Sequence, residues 1–236
     1  MIRCQRLKQE THNLFHIPFQ NIFDWIKSSP LTYSYSFEKH QVQLGLNTQK
    51  SIGYLRLPLH VKVDDKLVVG SEKATILYVT IESGHAAVCV MEGKKMRFHT
   101  TLYAYMARKK QGFSQIKYLN KKGKSRAGSR VRLSATTDFF ERINTVITEL
   151  LEDDTISRIA LNCNTTLIPN LFQSKVVCPF DKKDRRLYKI PVHIPKSNFS
   201  NLEKAIKKLK APLLFMDTQY INCVKDLVLL QKDDLS

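Results

Sequence analysis

The sequence predicts an α/β (α+β) protein in which helices cover a mixed β-sheet. From Thr75 onward, three apolar runs rich in β-branched residues follow one another with short turns between them. After these runs, helical and strand-like patterns alternate towards the end of the chain, which is the order expected when helices cover a mixed sheet. The patterns before Thr75 are weaker and mixed. We therefore expect a small N-terminal module over residues 1–73 and a main domain over residues 74–236.

The N-terminal module shows one short helix and one strand. "NIFDWIKSS" is typical of one or two helical turns, and Pro30 ends it. "LTYSYSF" alternates between polar and apolar side chains, as a half-buried strand does. These elements predict a small folded module and indicate no role for it.

The main domain is expected to open with three antiparallel strands. "TILYVTI" and "AAVCVM" are separated by "ESGH", which predicts a hairpin. "MRFHTTLYAYM" continues as the third strand, and a strongly basic stretch follows it. The sequence thus places the basic stretch at the end of a strand.

The next element is the most regular helical pattern in the chain, "DFFERINTVITELLEDD". Asp138 and Glu141 have the spacing of a capping box, so the helix is expected to begin there. Its apolar residues recur every three or four positions and form one face. That face consists of Phe139, Phe140, Ile143, Val146, Ile147, Leu150 and Leu151.

Shorter elements complete the main domain. "RIALNC" and "RLYKIPVHI" are typical of strands, and "NLEKAIKKLK" predicts an amphipathic helix with Leu202, Ile206 and Leu209 facing inward. "PLLFM" and "VKDLVLL" are the last apolar runs of the chain.

The net charge of +17 is distributed very unevenly. Residues 1–70 hold nine basic and five acidic residues, residues 71–133 fourteen and three, and residues 134–236 fifteen and thirteen. The 45 residues from Gly93 to Thr137 contain thirteen Lys and Arg and no carboxylate. Charge concentrated in this way predicts a polyanionic partner. The positive charge of this stretch would repel a divalent cation, so we expect no metal ion there. We also expect no other cofactor.

The centre of this charge is a basic loop over residues 108–132, with ten Lys and Arg. Its glycines and serines predict a segment flexible enough to fold onto a partner. The residues expected to contact tRNA or rRNA phosphates are Lys109, Lys110, Lys117, Lys121, Lys122, Lys124, Arg126, Arg130 and Arg132.

Several classes of protein are disfavoured. No apolar run is long enough to span a bilayer, and the N-terminus lacks the apolar block of a secretory signal. The five cysteines are widely spaced and form no C-x-x-C pair, which is typical of buried thiols in a reducing compartment. The phosphate-binding, dinucleotide-binding, nucleophile-elbow and zinc-protease motifs are missing. We expect a cytoplasmic monomer that does not bind membranes.

One stretch resembles a known family. "YMARKKQGFSQ", a basic spacer, "RAGSRVR" and an amphipathic helix are similar to the catalytic domain of the Vms-like release factors. That family acts in ribosome-associated quality control and is distantly related to the eukaryotic and archaeal class I peptide-release factors. "RLYKIPVHIPKSNFSNLEKAI" is similar to a strand of the family that leads into a helix. The likeness covers roughly residues 74 to 216 and implies an RNase-H-like, release-factor catalytic-domain-like fold.

The resemblance implies a substrate and a set of catalytic residues. The substrate is peptidyl-tRNA on the large ribosomal subunit, and the loop from Gly112 to Gln115 acts at the tRNA 3′ end. The catalytic residues implied are Tyr105, Arg108, Gly112, Ser114 and Gln115. A neutral glutamine amide suits this reaction, because it can position water by donating and accepting hydrogen bonds.

Three alternatives remain open at this point. The family resemblance also implies cleavage of the tRNA near its CCA end, which Tyr105, Arg108 and Gln115 would serve as well. A non-catalytic ribosome- or tRNA-binding protein would need the basic loop but not Gln115. A metal nuclease would require carboxylates, for which Glu82, Glu92 and Asp138 are the candidates.

Overall fold

The computed structural model describes residues 9–47, 50–104, 124–152 and 156–227, and only the backbone of residues 124–133. These residues belong to two compact units. Thr75–Ala205 form unit 2, whereas residues 9–74 and 206–227 belong to unit 1. The division after Ala74 lies next to the expected one after residue 73. The residues after 205 group with the N-terminal part of the chain, although the sequence analysis placed them in the main domain.

Unit 1 contains a five-stranded antiparallel sheet with the order β1-β10-β4-β3-β2. Its elements are β1 (Gln9–Asn13), helix α1 (Phe19–Ser28), β2 (Thr32–Ser36), β3 (Gln41–Asn47), β4 (Lys50–Arg56), β10 (Leu213–Asp217) and a 3₁₀ helix (Thr218–Val224). The predicted helix and strand are confirmed as α1 and β2.

The C-terminal strand β10 lies between β1 and β4, and this position explains why residues 206–227 belong to unit 1. A glycine allows the close approach of β4 and β10. A Cβ atom at Gly53 would collide with the carbonyl oxygen of Phe215 and the Sδ of Met216. The core of this unit includes Ile22, Phe23 and Ile26 of α1, all of which are buried.

Unit 2 contains a mixed five-stranded sheet with the order β7-β6-β5-β8-β9. Its elements are β5 (Thr75–Glu82), β6 (His85–Glu92), β7 (Lys95–Tyr103), helix α2 (Lys124–Leu151), β8 (Ile156–Cys163), helix α3 (Ile168–Phe172), β9 (Leu187–Lys189) and helix α4 (Phe199–Leu209), whose last turn belongs to unit 1. β6 is antiparallel to both of its neighbours, and β8 and β9 run parallel to β5. The predicted fold class, a mixed sheet covered by helices, is confirmed.

Two tight turns connect the first three strands of unit 2. Gly84 has φ 76° between β5 and β6, and Gly93 has φ 57° between β6 and β7. Positive φ is inexpensive for glycine because it has no Cβ atom. The predicted hairpin and third strand are therefore present.

Helix α2 covers one face of this sheet. Phe139, Phe140, Ile143 and Ile147 are buried against strand residues such as Val79. The other members of the predicted apolar face, Val146, Leu150 and Leu151, are partly buried in the same cluster, so the prediction of this face is confirmed.

The predicted start of this helix is wrong. α2 begins at Lys124, so Asp138 lies within the helix and not at its N-terminus. Its carboxylate is 3.5 Å from the Ser134 hydroxyl. Residues 124–132 of the basic loop, expected to be flexible, have a helical backbone instead. Lys, Arg, Ala and Leu are good helix formers, and no proline interrupts the stretch.

The opposite face of the sheet contacts the segment that leads into α4. The ring of His99 on β7 lies 4.1 Å from that of Phe199, centroid to centroid. Leu202, Ile206 and Leu209 are buried, as predicted.

The strand predicted over "RLYKIPVHI" is limited to Leu187–Lys189. Pro191 follows two residues later and cannot donate a backbone hydrogen bond to a neighbouring strand.

Candidate functional site at the carboxyl ends of the strands

The strands β5, β7 and β8 of unit 2 all end at one edge of the sheet. β5 and β7 are both antiparallel to β6, and β8 is parallel to β5. In open α/β sheets, ligands bind outside the carboxyl ends of the strands. This edge is therefore the candidate site.

The end of β7 is fixed by three contacts. The backbone N–H of Ala104 donates to the carbonyl of Gly84 at 3.0 Å. Arg142 Nη2 on α2 donates to the carbonyl of Tyr103 at 2.9 Å. The ring of Tyr103 lies edge-on to His85, with centroids 5.4 Å apart. These contacts hold the point from which the chain continues into residues 105–123.

All five predicted catalytic residues lie in that continuation, outside the described residues. They are Tyr105, Arg108, Gly112, Ser114 and Gln115. Five of the nine predicted phosphate-binding residues also lie there, namely Lys109, Lys110, Lys117, Lys121 and Lys122. The structure describes the residues on either side of this segment, which are Ala104 and the start of α2.

The other four predicted phosphate-binding residues belong to the first turns of α2, where only the backbone is described. They are Lys124, Arg126, Arg130 and Arg132. They precede Phe139, which is buried in the core of unit 2. At 1.5 Å per residue, their positions are about 15 to 27 Å along the helix axis from Arg142. The first turns of α2 thus extend the basic segment as a regular helix.

The acid-free stretch from Gly93 to Thr137 reaches both edges of the sheet. Lys94 directly precedes β7, and Lys95 and Arg97 lie at its beginning, so the three residues are about 20 to 30 Å from the end of the strand. Arg97 is 3.9 Å from Glu92 in an exposed ion pair, a kind of pair that contributes about 0–1 kcal/mol. Only part of the positive charge is therefore at the candidate site.

A buried polar cluster lies at the same edge, between β5 and β8. The Thr80 and Ser197 hydroxyls are 2.9 Å apart, and Asn162 Nδ2 donates to Thr80 Oγ1 at 3.3 Å. The backbone N–H of Ser197 donates to Glu82 Oε2 at 3.3 Å. Thr80 is fully buried, so the neighbouring hydroxyl and amide compensate for its lost hydration.

Sequence reasoning did not identify this cluster. One signal was available, because Thr80 interrupts the apolar run of β5 and Asn162 follows the apolar residues of β8. Its pairing partners could not be inferred, since they are 82 and 117 residues apart in sequence.

The carboxylates considered for a metal nuclease are dispersed. Glu82 lies at the end of β5, Glu92 at the end of β6 and Asp138 within α2. β6 ends at the sheet edge opposite to that of β5. Among the described residues, no three His, Cys, Asp or Glu side chains are grouped so as to hold a metal ion.

Residues 76–214, more than half of the chain, match the family model of bVLRF1, the Bacteroidetes VLRF1 release factor. The chain belongs to this family. The match covers nearly all of unit 2 and reaches β10. Membership in the family supports a release-factor-like role in translation for this bVLRF1-family protein. It also confirms the resemblance found in the sequence.

Two solved structures are similar to this bVLRF1-family protein. The Vms1 mitochondrial localization core is 12% identical, with a TM-score of 0.39, and the alignment covers 82% of this chain and 80% of that one. The archaeal translation termination factor aRF1 is 9% identical, with a TM-score of 0.34, and the alignment covers 69% of this chain and 42% of that one. No curated protein matches. In the described part of the chain, no helix is long and apolar enough to cross a membrane.

Proposed function

We propose that this protein hydrolyses the ester bond of peptidyl-tRNA on stalled large ribosomal subunits and so releases the nascent chain. The observation that carries the proposal is family membership together with the position of "GFSQ" in the sequence. This tetrapeptide lies in the segment between β7 and α2, whose first end is held at the carboxyl edge of the sheet.

The chemistry suits an uncharged residue. An ester is more reactive than an amide, so hydrolysis needs a positioned water and stabilisation of the oxyanion more than a strong base. In the proposal, the Gln115 side chain orients the water by donating and accepting hydrogen bonds. Its backbone N–H faces the oxyanion, an interaction worth about 3–4 kcal/mol where one such donor has been removed from other enzymes.

The surrounding residues bind and position the substrate. Gly112 and Ser114 permit a close approach to the tRNA end, and Tyr105 and Arg108 complete the catalytic group. The nine predicted phosphate-binding residues hold the acceptor stem, and the ribosome positions the ester and excludes water. The protein acts as a cytoplasmic monomer and needs no cofactor.

A second candidate reaction is cleavage of the tRNA near its CCA end. It is favoured by the combination of Arg108 with a 45-residue stretch that lacks carboxylates. A ribose 2′-hydroxyl attacks the adjacent phosphorus, and the bond to the next 5′-oxygen breaks. The products are a 2′,3′-cyclic phosphate and a 5′-hydroxyl, and no metal ion is required.

The two reactions leave different tRNA ends. Purified protein is incubated with large subunits that carry peptidyl-tRNA, and the tRNA 3′ ends are sequenced. Ester hydrolysis yields free peptide and tRNA with an intact CCA, which is the expected result. Loss of the terminal nucleotides would assign the second reaction, and binding without either product would make the protein a non-catalytic tRNA- or ribosome-binding factor.

A further inference from the structure

A cavity of about 310 Å³ lies beside the ends of β8 and β9 in unit 2, and the proposed reaction does not use it. Its wall is mainly apolar and includes Leu161, Leu187 and Phe172. Small-molecule sites are typically apolar concavities of about this size or larger, with a few polar groups that orient the ligand.

Two cations lie at the rim of this cavity. Lys182 and Lys189 both line it, and both are exposed. Neither forms an ion pair with another residue in the part of the chain that the structure describes. Lys182 Nζ is 5.2 Å from the centroid of the Phe172 ring. An exposed cation–π contact of this kind contributes about 0.5–1 kcal/mol, so the ammonium group can move to an anion.

Asn162 provides a fixed polar group in the same wall. Its Nδ2 donates to Thr80, whose hydroxyl is in turn 2.9 Å from Ser197. Among the described residues the Asn162 amide makes this bond through Nδ2, which leaves Oδ1 as a hydrogen-bond acceptor. An exocyclic amine of adenine or cytosine is a donor that suits it.

The cavity lies at the edge of the sheet where β7 ends and where residues 105–123, the proposed catalytic segment, begin in sequence. β8 is separated from β7 by β6 and β5, which corresponds to about 14 Å at the usual strand spacing. An RNA end bound beside the end of β7 therefore lies near the cavity, at the same edge of the sheet.

We infer that the cavity binds one unpaired nucleotide of the RNA end. The base enters the apolar wall beside Phe172, its exocyclic amine donates to Asn162 Oδ1, and its phosphate contacts Lys182 and Lys189. The identity of this ligand rests on the proposed function, which supplies a single-stranded tRNA 3′ end at this edge. Contact of a base with an aromatic ring contributes about 1–3 kcal/mol in other single-strand binding proteins.

The test measures binding of a fluorescent, 5′-phosphorylated CCA trinucleotide to the full chain by polarisation. Two variants act on the cavity: the double change Lys182→Ala and Lys189→Ala removes the cations, and Thr165→Trp places a large ring among the lining residues. Each is expected to weaken binding at least tenfold. The matched control is the double change Lys175→Ala and Lys183→Ala at exposed lysines that do not line the cavity, and it should stay within twofold of the original chain.

Two further ligands test the recognition chemistry. A UUU trinucleotide lacks exocyclic amines, and CCA without its 5′-phosphate lacks one anionic group, so both are expected to bind more weakly. Circular dichroism verifies that each variant is folded. The inference is overturned if CCA does not bind at millimolar concentration, or if both cavity variants bind it as the control does.

This measurement is separable from the release reaction because it requires neither ribosomes nor Gln115. If CCA binding maps to the cavity but peptidyl-tRNA is not cleaved, the proposed function fails while the site stands. If release occurs without cavity-dependent binding, the site alone is excluded.

Discussion

Burial raises the pKa of the Cys163 thiol, at the end of β8, to about 11. In an unfolded chain a cysteine has a pKa of about 8.5. The folded protein therefore keeps this proton over a pH range in which the unfolded chain has lost it. Unfolding then releases a proton, so stability should fall as the pH rises from about 9 to about 11.

Tyr78 and Cys178 also have pKa values raised by burial, so they too contribute to the loss of stability at high pH. The prediction for Cys163 therefore concerns its own share of the slope of stability against pH. Denaturant midpoints of the original chain and of Cys163→Ala are compared at pH 8, 9, 10 and 11. The decline between pH 9 and 11 should be smaller in Cys163→Ala, with Cys223→Ala at an exposed thiol as the matched control. Equal slopes in all three proteins would refute the role given to Cys163.

At the residue scale, the sequence predicts which residues belong to the candidate site better than it predicts which residues contact one another. "GFSQ" was found because a family pattern is local in sequence. The contacts of Thr80 with Asn162 and Ser197 join residues that are distant in sequence, and a sequence pattern gives no indication of such pairs. His85 and His99, both isolated histidines in the sequence, make aromatic contacts with Tyr103 and Phe199.

Among the elements, helix α2 contacts the end of strand β7, just before the residues proposed to be catalytic. Arg142→Ala removes the 2.9 Å hydrogen bond to the carbonyl of Tyr103. Because the donor is charged but exposed, we expect a loss of about 1 kcal/mol. For a chain of this size, that loss lowers the Tm by about 2–4 °C.

Arg185→Ala removes an exposed arginine that makes no hydrogen bond or ion pair within the described residues, and it is the matched control for thermal denaturation. The peptide-release rate should fall more in Arg142→Ala than in Arg185→Ala, because Tyr103 lies two residues before Tyr105. Two variants with the same Tm and the same release rate would show that the Arg142 contact does not support the segment.

The elements that were predicted correctly are those with a strong local pattern. The hairpin of β5 and β6 and the apolar face of α2 follow from periodicity and turn residues. The start of α2 does not follow from the local pattern, because Gly128 and the serines around it disfavour a helix whereas the Lys, Arg and Ala residues between them favour one. β3 was also missed, although "QVQLGLN" alternates as a strand does.

At the scale of the whole molecule, the structure separates two groups of basic residues that the sequence combines. The group at the start of α2 precedes Arg142, which contacts the end of β7, and the group at the start of β7 lies at the opposite edge of the sheet. We expect the first group to dominate RNA binding.

Salt dependence distinguishes the two groups. For single-stranded RNA, each phosphate contact contributes about 0.7 to the slope of log K against log salt. The triple change Arg126→Gln, Arg130→Gln and Arg132→Gln should therefore reduce the slope by about 2. The matched triple change Lys94→Gln, Lys95→Gln and Arg97→Gln should leave it nearly unchanged, and equal reductions would contradict the separation.

The organisation into two units was predicted only in part. The change after Ala74 coincides with a change in pattern, since the strongly apolar strands begin there. The return of the chain to unit 1 was not predictable, because "PLLFM" has the same local pattern whichever sheet it joins. Its place between β1 and β4 depends on pairing over more than 150 residues of sequence.

The central claim is that an uncharged amide delivered by a basic segment completes the hydrolysis of peptidyl-tRNA. The most direct measurement is the single-turnover rate of peptide release from peptidyl-tRNA-bearing large subunits for the original chain, Gln115→Ala and Gln111→Ala, with subunit binding measured in parallel. We predict that Gln115→Ala slows release about 100-fold without weakening binding, because it removes the amide that positions the water but keeps the backbone N–H, whereas Gln111→Ala stays within a few-fold. Release by Gln115→Ala at the original rate would contradict the account.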